Sequence, residues 1–275
     1  MTLARSLPSC LLALGLAACA SSPPAAPGPA ASTPSDVLVP FASEESAARL
    51  ERSRHKADFF ALANHFEGQI HGGMCGPTTA VIVLNALRVA RAEGLPIDRS
   101  AIPERFHAQI PPRFDPFFAR YTQRGFFDDP RVAGVKTEEV FYGAPPAPGD
   151  KPDPGMQLRQ LHAIFVAYGL ESTLRIVDDR MDEAAIRREL MDDLARPDGY
   201  VVVNYTRKVL DQDGGGHISP VGAYDEASDS FLVLDVNPNR GKTWAWVPTR
   251  RLVAAMRTFD TNENRGYLLV REGRR

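Results

Sequence analysis

Cysteine is scarce in this 275-residue chain, occurring only as Cys10, Cys19 and Cys75. If the first two belong to a processed leader, one thiol remains in the folded part. A disulfide staple and a multi-cysteine metal site then drop out together. Charge of either sign in excess is also lacking, since 32 basic and 34 acidic side chains leave a net −2 at pH 7. Neither a broad basic face nor an acidic tail follows, so no nucleic-acid partner is expected. No apolar run approaches the roughly 20 residues a membrane-spanning helix needs, and no internal repeat is apparent. What remains is the composition of a globular chain, 44% hydrophobic and 24% charged, able to bury a substantial core in one main domain.

The N-terminus reads as an export signal: Arg5, an apolar run from Leu7 to Leu16, then small residues. Leu16-Ala17-Ala18-Cys19 resembles the lipobox of bacterial lipoproteins, which implies cleavage before Cys19 and a lipid anchor on that residue. An ordinary signal peptide or a plain membrane anchor is the alternative. Residues 19–40 are Ala, Pro and Ser with almost no large apolar side chain, too little to offset chain entropy, so a tether is expected there. The expected organisation is a lipoprotein signal peptide at 1–18, a tether at 19–40 and a catalytic domain at 41–275, held in the bacterial cell envelope facing the periplasm.

From residue 41 the pattern turns globular, and "EESAARLERSRHKADFFALANHF" reads as helix. In "CGPTTAVIVLNALRVARAEG", Pro77 suits a first helical turn, Val81, Leu84 and Leu87 recur at helical spacing, and Gly94 suits a stop. Cys75 therefore stands at a helix N-terminus, where free N–H groups and the helix dipole favour a thiolate. Residues 99–155, rich in proline and aromatics, read as loops and short helices. "MQLRQLHAIFVAYG" and "DEAAIRRELMDDLARPDG" read as amphipathic helices. "YVVVNYT", "HISPVGAY", "FLVLDV", "KTWAWV" and "RGYLLVRE" read as strands, with a helix in "TRRLVAAMRTF". Helices first and strands last predict an α+β fold, an antiparallel sheet packed on a helical layer that carries Cys75.

A cysteine nucleophile needs a base and a group to orient that base, both distant in sequence. Among the six histidines, His217 follows three glycines in "DGGGHISPVGAYD" and opens a strand, where a side chain can enter a cleft. The next strand, "FLVLDVNP", is apolar up to Asp235, and an acid at a buried position requires a partner. A hairpin through "DEASDS" would set His217 beside Asp235. Singly, His217 reads as a satisfied sheet-edge histidine and Asp235 as a strand-end cap; together with Cys75 they read as a triad. "DQDGGG" lacks the ligand spacing of a calcium loop, and no metal site is expected.

These residues resemble the phytochelatin synthases, papain-like thiol enzymes acting on glutathione. "FFALANHFEGQIHGGMCGPTTAVIVLNAL" resembles the family's cysteine segment, with a glutamine six residues before the nucleophile. "GYVVVNYTRKVLDQDGGGHISPVGAYDEASDSFLVLDV" resembles its histidine and aspartate segment, and "WVPTRRLVAAMRTFDTNENRGYLLV" its closing segment. The resemblance implies a papain-like fold with Cys75 as nucleophile, His217 as general base and acid, Asp235 as orienter and Gln69 as oxyanion donor. It further implies cleavage of the Cys–Gly bond of glutathione or its conjugates through a γ-glutamylcysteinyl thioester, resolved by water or by a second glutathione. Met74, Gly216 and Arg240, with Lys242 as an alternative to Arg240, are the expected substrate contacts. No cofactor is obligatory; cadmium or zinc would enter as the metal–glutathione thiolate. Two rival readings are a papain-like peptidase of another envelope peptide and a non-catalytic lipoprotein that binds glutathione or a metal thiolate.

Overall fold

In the computed structural model, residues 36–91, 94–239 and 244–273 are described. The expected signal peptide, Cys19 as the expected lipid anchor, Arg240 and Lys242 lie outside them. The chain opens with β1 (Val39–Pro40), α1 (Glu44–Arg52), α2 (Ala57–Asn64) and α3 (Cys75–Arg88). Then come the short β2 (Ile97–Asp98), β3 (Phe118–Ala119), α4 (Pro130–Ala133) and α5 (Glu138–Phe141). After α6 (Leu158–Ala167), β4 (Leu170–Ile176) and α7 (Glu183–Leu194) follow β5 (Gly199–Thr206), β6 (Gly216–Asp225), β7 (Ser230–Leu234), β8 (Trp244–Pro248), α8 (Thr249–Met256) and β9 (Gly266–Glu272).

Seven strands form one antiparallel sheet in the order β1-β8-β7-β6-β5-β9-β4, and β2 pairs with β3 apart from it. The α+β expectation holds, but one helical layer was too few. Val202 of β5 joins a core with Leu62, Leu84 and Phe165 from α2, α3 and α6, whereas Val201, Val203 and Tyr205 join a second core with Leu190 and Leu252 from α7 and α8. Alternate residues of a strand point to opposite faces, so helices cover the sheet on both sides. That is why "GYVVVNYT" opens with a continuous apolar run from Tyr200 to Val203 rather than alternating, and is buried along its whole length.

Three details depart from the sequence reading. The predicted helix over 44–66 is two helices, because the chain turns at residues 53–56 to bridge His55 with Tyr224 of β6. Residues 170–176, assigned no element, form edge strand β4, whose half-polar sequence carries too short an apolar pattern to declare itself. Residues 36–40, expected within a tether, contact the folded part: Val39 and Pro40 pair with Trp246 and Ala245, and Asp36 lies 2.7 Å from Arg250. All described residues belong to one compact unit, Pro34–Arg275.

Gly266 shows how tightly β4 and β9 close. A Cβ there would fall 1.9 Å from the Arg175 carbonyl oxygen, a backbone atom that cannot move without parting the strands. Gly266→Ala is expected to cost about 3 kcal/mol, lowering Tm by roughly 5–10 °C in a thermal melt.

Candidate active site

Cys75 is the first residue of α3, and the chain reaches it through a turn in which Gly73 takes a positive φ of 92°. Gly76 has no room for a side chain, since a Cβ would meet Met156 at 2.7 Å. Helix α3 is buried on nearly every side, so Cys75 sits on a rigid post. The backbone N–H groups of Ile218 and Gly76 and the imidazole of His217 face the Cys75 sulfur and favour its ionised form.

His217 is the second residue of β6, opposite Tyr205 on β5. Its Nε2 lies 2.7 Å from Asp235 Oδ1, which leaves Nδ1 as the ring nitrogen for sulfur. Asp235 directly follows β7, and the β6–β7 hairpin expected from the sequence is present. A one-residue β-bulge between Val221 and Ala223 shifts its register: near the turn Asp225 faces Ser230, whereas beyond the bulge Val221 faces Val233. Side chains alternate along a strand, so this shift carries His217 onto the same face as Asp235; an unbulged ladder would put them on opposite faces.

Arg207, in a single turn after β5, grips the Asp235 carboxylate. Its Nη2 donates to Oδ1 at 2.6 Å and to Oδ2 at 2.5 Å, and its Nε donates to Oδ2 at 3.1 Å. Tyr205 OH donates to Oδ2 at 3.2 Å and the Asn237 N–H to Oδ1 at 2.8 Å. Sequence reasoning required a partner for a buried Asp235 but did not find Arg207 or Tyr205. The available signal was an arginine and a tyrosine closing an apolar strand next to the histidine's glycine-rich loop.

These contacts set the protonation states. Burial pushes the Asp235 carboxyl up, but hydrogen bonding and charge from His217 and Arg207 outweigh it and hold the group at about 2. Burial pulls the His217 imidazole down, yet Asp235 and Cys75 raise it above its ordinary value. Burial likewise pushes the Cys75 thiol up, and the His217 hydrogen bond and charge, with the two backbone N–H groups, bring it below the usual thiol range. The combined drift is toward a thiolate–imidazolium pair backed by a permanently ionised aspartate.

Gln69 is buried, its main-chain N–H donating to the Val236 carbonyl at 2.8 Å and its Nε2 to the His71 carbonyl at 2.8 Å. Its Oε1 has no partner. Met74, expected against substrate, is instead buried among core side chains, because the residue preceding α3 points under the helix. Gly216 opens β6 at the surface, where a Cβ would fall 2.7 Å from Arg265 Nη2. Arg265 donates to Asp260 at 2.9 Å, and Asn204 donates to the same carboxylate at 2.9 Å. Arg265 Nε and Asn204 Oδ1 are buried without partners, part of a polar cluster that the sequence reading missed. Among the described residues, no three His, Cys, Asp or Glu side chains come together as a metal site.

A helix-start cysteine, a strand-borne histidine and a buried, arginine-clamped aspartate thus meet at one place in an α+β frame. The chain belongs to the phytochelatin synthase family, whose profile matches residues 31–106 and 147–267. It is 23% identical over 245 residues to glutathione gamma-glutamylcysteinyltransferase 1 of Arabidopsis thaliana, covering 87% of this chain and 43% of that protein. It is 27% identical over 247 residues to glutathione gamma-glutamylcysteinyltransferase 1 of Triticum aestivum, covering 86% of this chain and 41% of that one. Glutathione gamma-glutamylcysteinyltransferase of Schizosaccharomyces pombe is 29% identical over 119 residues, 42% of this chain and 28% of its own length. The chain thus spans less than half the length of these relatives.

Proposed function

We propose that this protein is a papain-like thiol enzyme that cleaves the Cys–Gly amide of glutathione or its conjugates. In this reading the Cys75 sulfur attacks the amide carbonyl and the resulting oxyanion takes hydrogen bonds from the remaining Gln69 amide hydrogen and the Cys75 backbone N–H. His217 delivers a proton to the glycine nitrogen, the C–N bond breaks, and a γ-glutamylcysteinyl thioester remains. Water, losing a proton to His217, then attacks the thioester; the C–S bond breaks, giving γ-glutamylcysteine and the free thiolate. A second glutathione amine in place of water would give a phytochelatin, and hydrolysis is the favoured outcome.

The observation that carries this reading is the convergence of Cys75, His217 and Asp235, with His217 Nε2 2.7 Å from Asp235 Oδ1, in a member of a family whose relatives are named for glutathione transfer. The cluster of Asn204, Asp260 and Arg265 supports it, since a carboxylate and a guanidinium side by side suit the ammonium and carboxylate of a γ-glutamyl end. Cadmium or zinc enters as part of a glutathione thiolate substrate. The lipid on Cys19 keeps the enzyme at the cell envelope, facing the periplasm; among the described residues no helix is long and apolar enough to cross a membrane.

The test is mass spectrometry of residues 34–275 incubated with reduced glutathione, with and without cadmium, beside Cys75→Ala. Glycine and γ-glutamylcysteine are expected from the first protein and neither from the variant, while (γ-Glu-Cys)n-Gly products would mark transfer to a second glutathione. No turnover by the folded protein would overturn the glutathione assignment.

A further inference from the structure

We propose that Gln123 is a positioning residue that sets the orientation of Gln69 at the nucleophile. It comes from the irregular segment between residues 106 and 147, outside the family match, and its side chain is buried. Its Oε1 accepts from the Ile70 N–H at 3.0 Å and from Thr78 Oγ1 at 2.6 Å, and its Nε2 donates to the Gly68 carbonyl at 2.9 Å. The residues on either side of Gln69 are thereby pinned by one amide, while Gln69's own N–H is held by Val236, next to Asp235. Three consecutive backbone positions with fixed partners leave the Gln69 side chain little freedom to turn.

The pin is itself referenced to the nucleophile helix. Thr78 lies three residues beyond Cys75 in α3, so a single oxygen ties the loop to that helix's first turn. Two residues before Gln123, Tyr121 exchanges two hydrogen bonds with Asn85 of α3: its N–H donates to Asn85 Oδ1 at 2.9 Å, and Asn85 Nδ2 donates to its carbonyl at 3.0 Å. The segment is locked to α3, and through Gln123 the loop is locked to both. Tyr142 from the same segment adds a contact at the rim, its hydroxyl 2.9 Å from His71 Nε2. The geometry serves a group whose hydrogen-bond donor must stay aimed at one point, because small misplacement of an oxyanion donor is costly in rate.

This inference rests on Gln69 acting as the oxyanion donor, and its test separates the two. Gln123→Met, which keeps the volume and removes all three hydrogen bonds, is compared with the unaltered protein in three assays. These are kcat and KM for glutathione, affinity for N-acetylaminoacetaldehyde, whose hemithioacetal places an oxygen at the oxyanion position, and the rate of Cys75 alkylation by iodoacetamide, which forms no oxyanion. The expected result is a kcat and an aldehyde affinity lower by about 10- to 100-fold, with KM within about threefold and alkylation within about twofold. Thr78→Val, removing one of the three bonds, should shift the same ratio by less and guards against a misfolded first variant. Equal loss in all three assays would make Gln123 merely structural and overturn the proposal, as would an unchanged ratio in both variants or an unaltered protein that binds no aldehyde. If glutathione is not turned over but aldehyde affinity still depends on Gln123, the positioning role stands and the glutathione reading falls.

Discussion

His217→Asn is expected to lower glycine release from glutathione by roughly 10⁴-fold or more, the scale seen when a base is removed from a nucleophile–base–acid unit. Two losses act together. No group remains to give the leaving amine its proton, and the Cys75 thiol loses the hydrogen bond and charge that oppose its burial. Burial then prevails and the thiol rises instead of falling, so Cys75 becomes less reactive at neutral pH. Iodoacetamide labelling separates the effects: in the native protein it should persist well below the ordinary thiol pKa near 8.5, and in the variant it should require alkaline pH. A variant that keeps its activity within tenfold would remove His217 from the mechanism.

Arg207→Met is expected to be the most damaging change that spares the three central residues. Removing one partner of a buried ion pair leaves the other uncompensated, at a cost of about 3–5 kcal/mol, and Arg207 and Asp235 are both buried. The sign of the pH effect follows from the Asp235 value of about 2. A carboxylate held below its unfolded value contributes stability that is present above about pH 3.9 and is lost as pH falls toward 2. Without Arg207, burial regains weight and the Asp235 value rises. The variant should therefore lose stability at a higher pH than the native protein, and the acid limb of its activity should move the same way. Thermal melts of both proteins from pH 3 to 8 check this, and parallel curves offset by a constant would show that Arg207 packs without holding the Asp235 charge.

Local sequence made much of the candidate site legible. Cys75 declared itself because a glycine–proline approach and an apolar helical run mark a helix start with few alternatives. His217 and Asp235 were found by where they broke strand patterns, one after three glycines and one at the end of "FLVL". Met74 misled because adjacency in sequence was taken for adjacency to substrate; at the entrance to a buried helix, the preceding side chain packs under it. Arg207, Tyr205 and Gln123 were missed for a different reason. Their value lies in a partner 28, 30 or 53 residues away, as in the bonds Arg207–Asp235, Tyr205–Asp235 and Ile70–Gln123, and no periodicity encodes such a pairing.

The sequence by itself determined which residues are chemically equipped, the helix start that carries Cys75, and the alternation of strands that places His217 and Asp235 at neighbouring ends. These follow from short-range preferences of backbone and side chain, which act within a few residues. Only the tertiary structure decided that helices cover both faces of the sheet and that the arginine of one strand end closes on the aspartate of another. It also decided the single extra residue at Val221–Ala223 that brings His217 and Asp235 to one face. A bulge of that kind is set by how two strands pair and pack, a balance struck across the whole sheet, so the same local sequence is compatible with either face until its neighbours are in place.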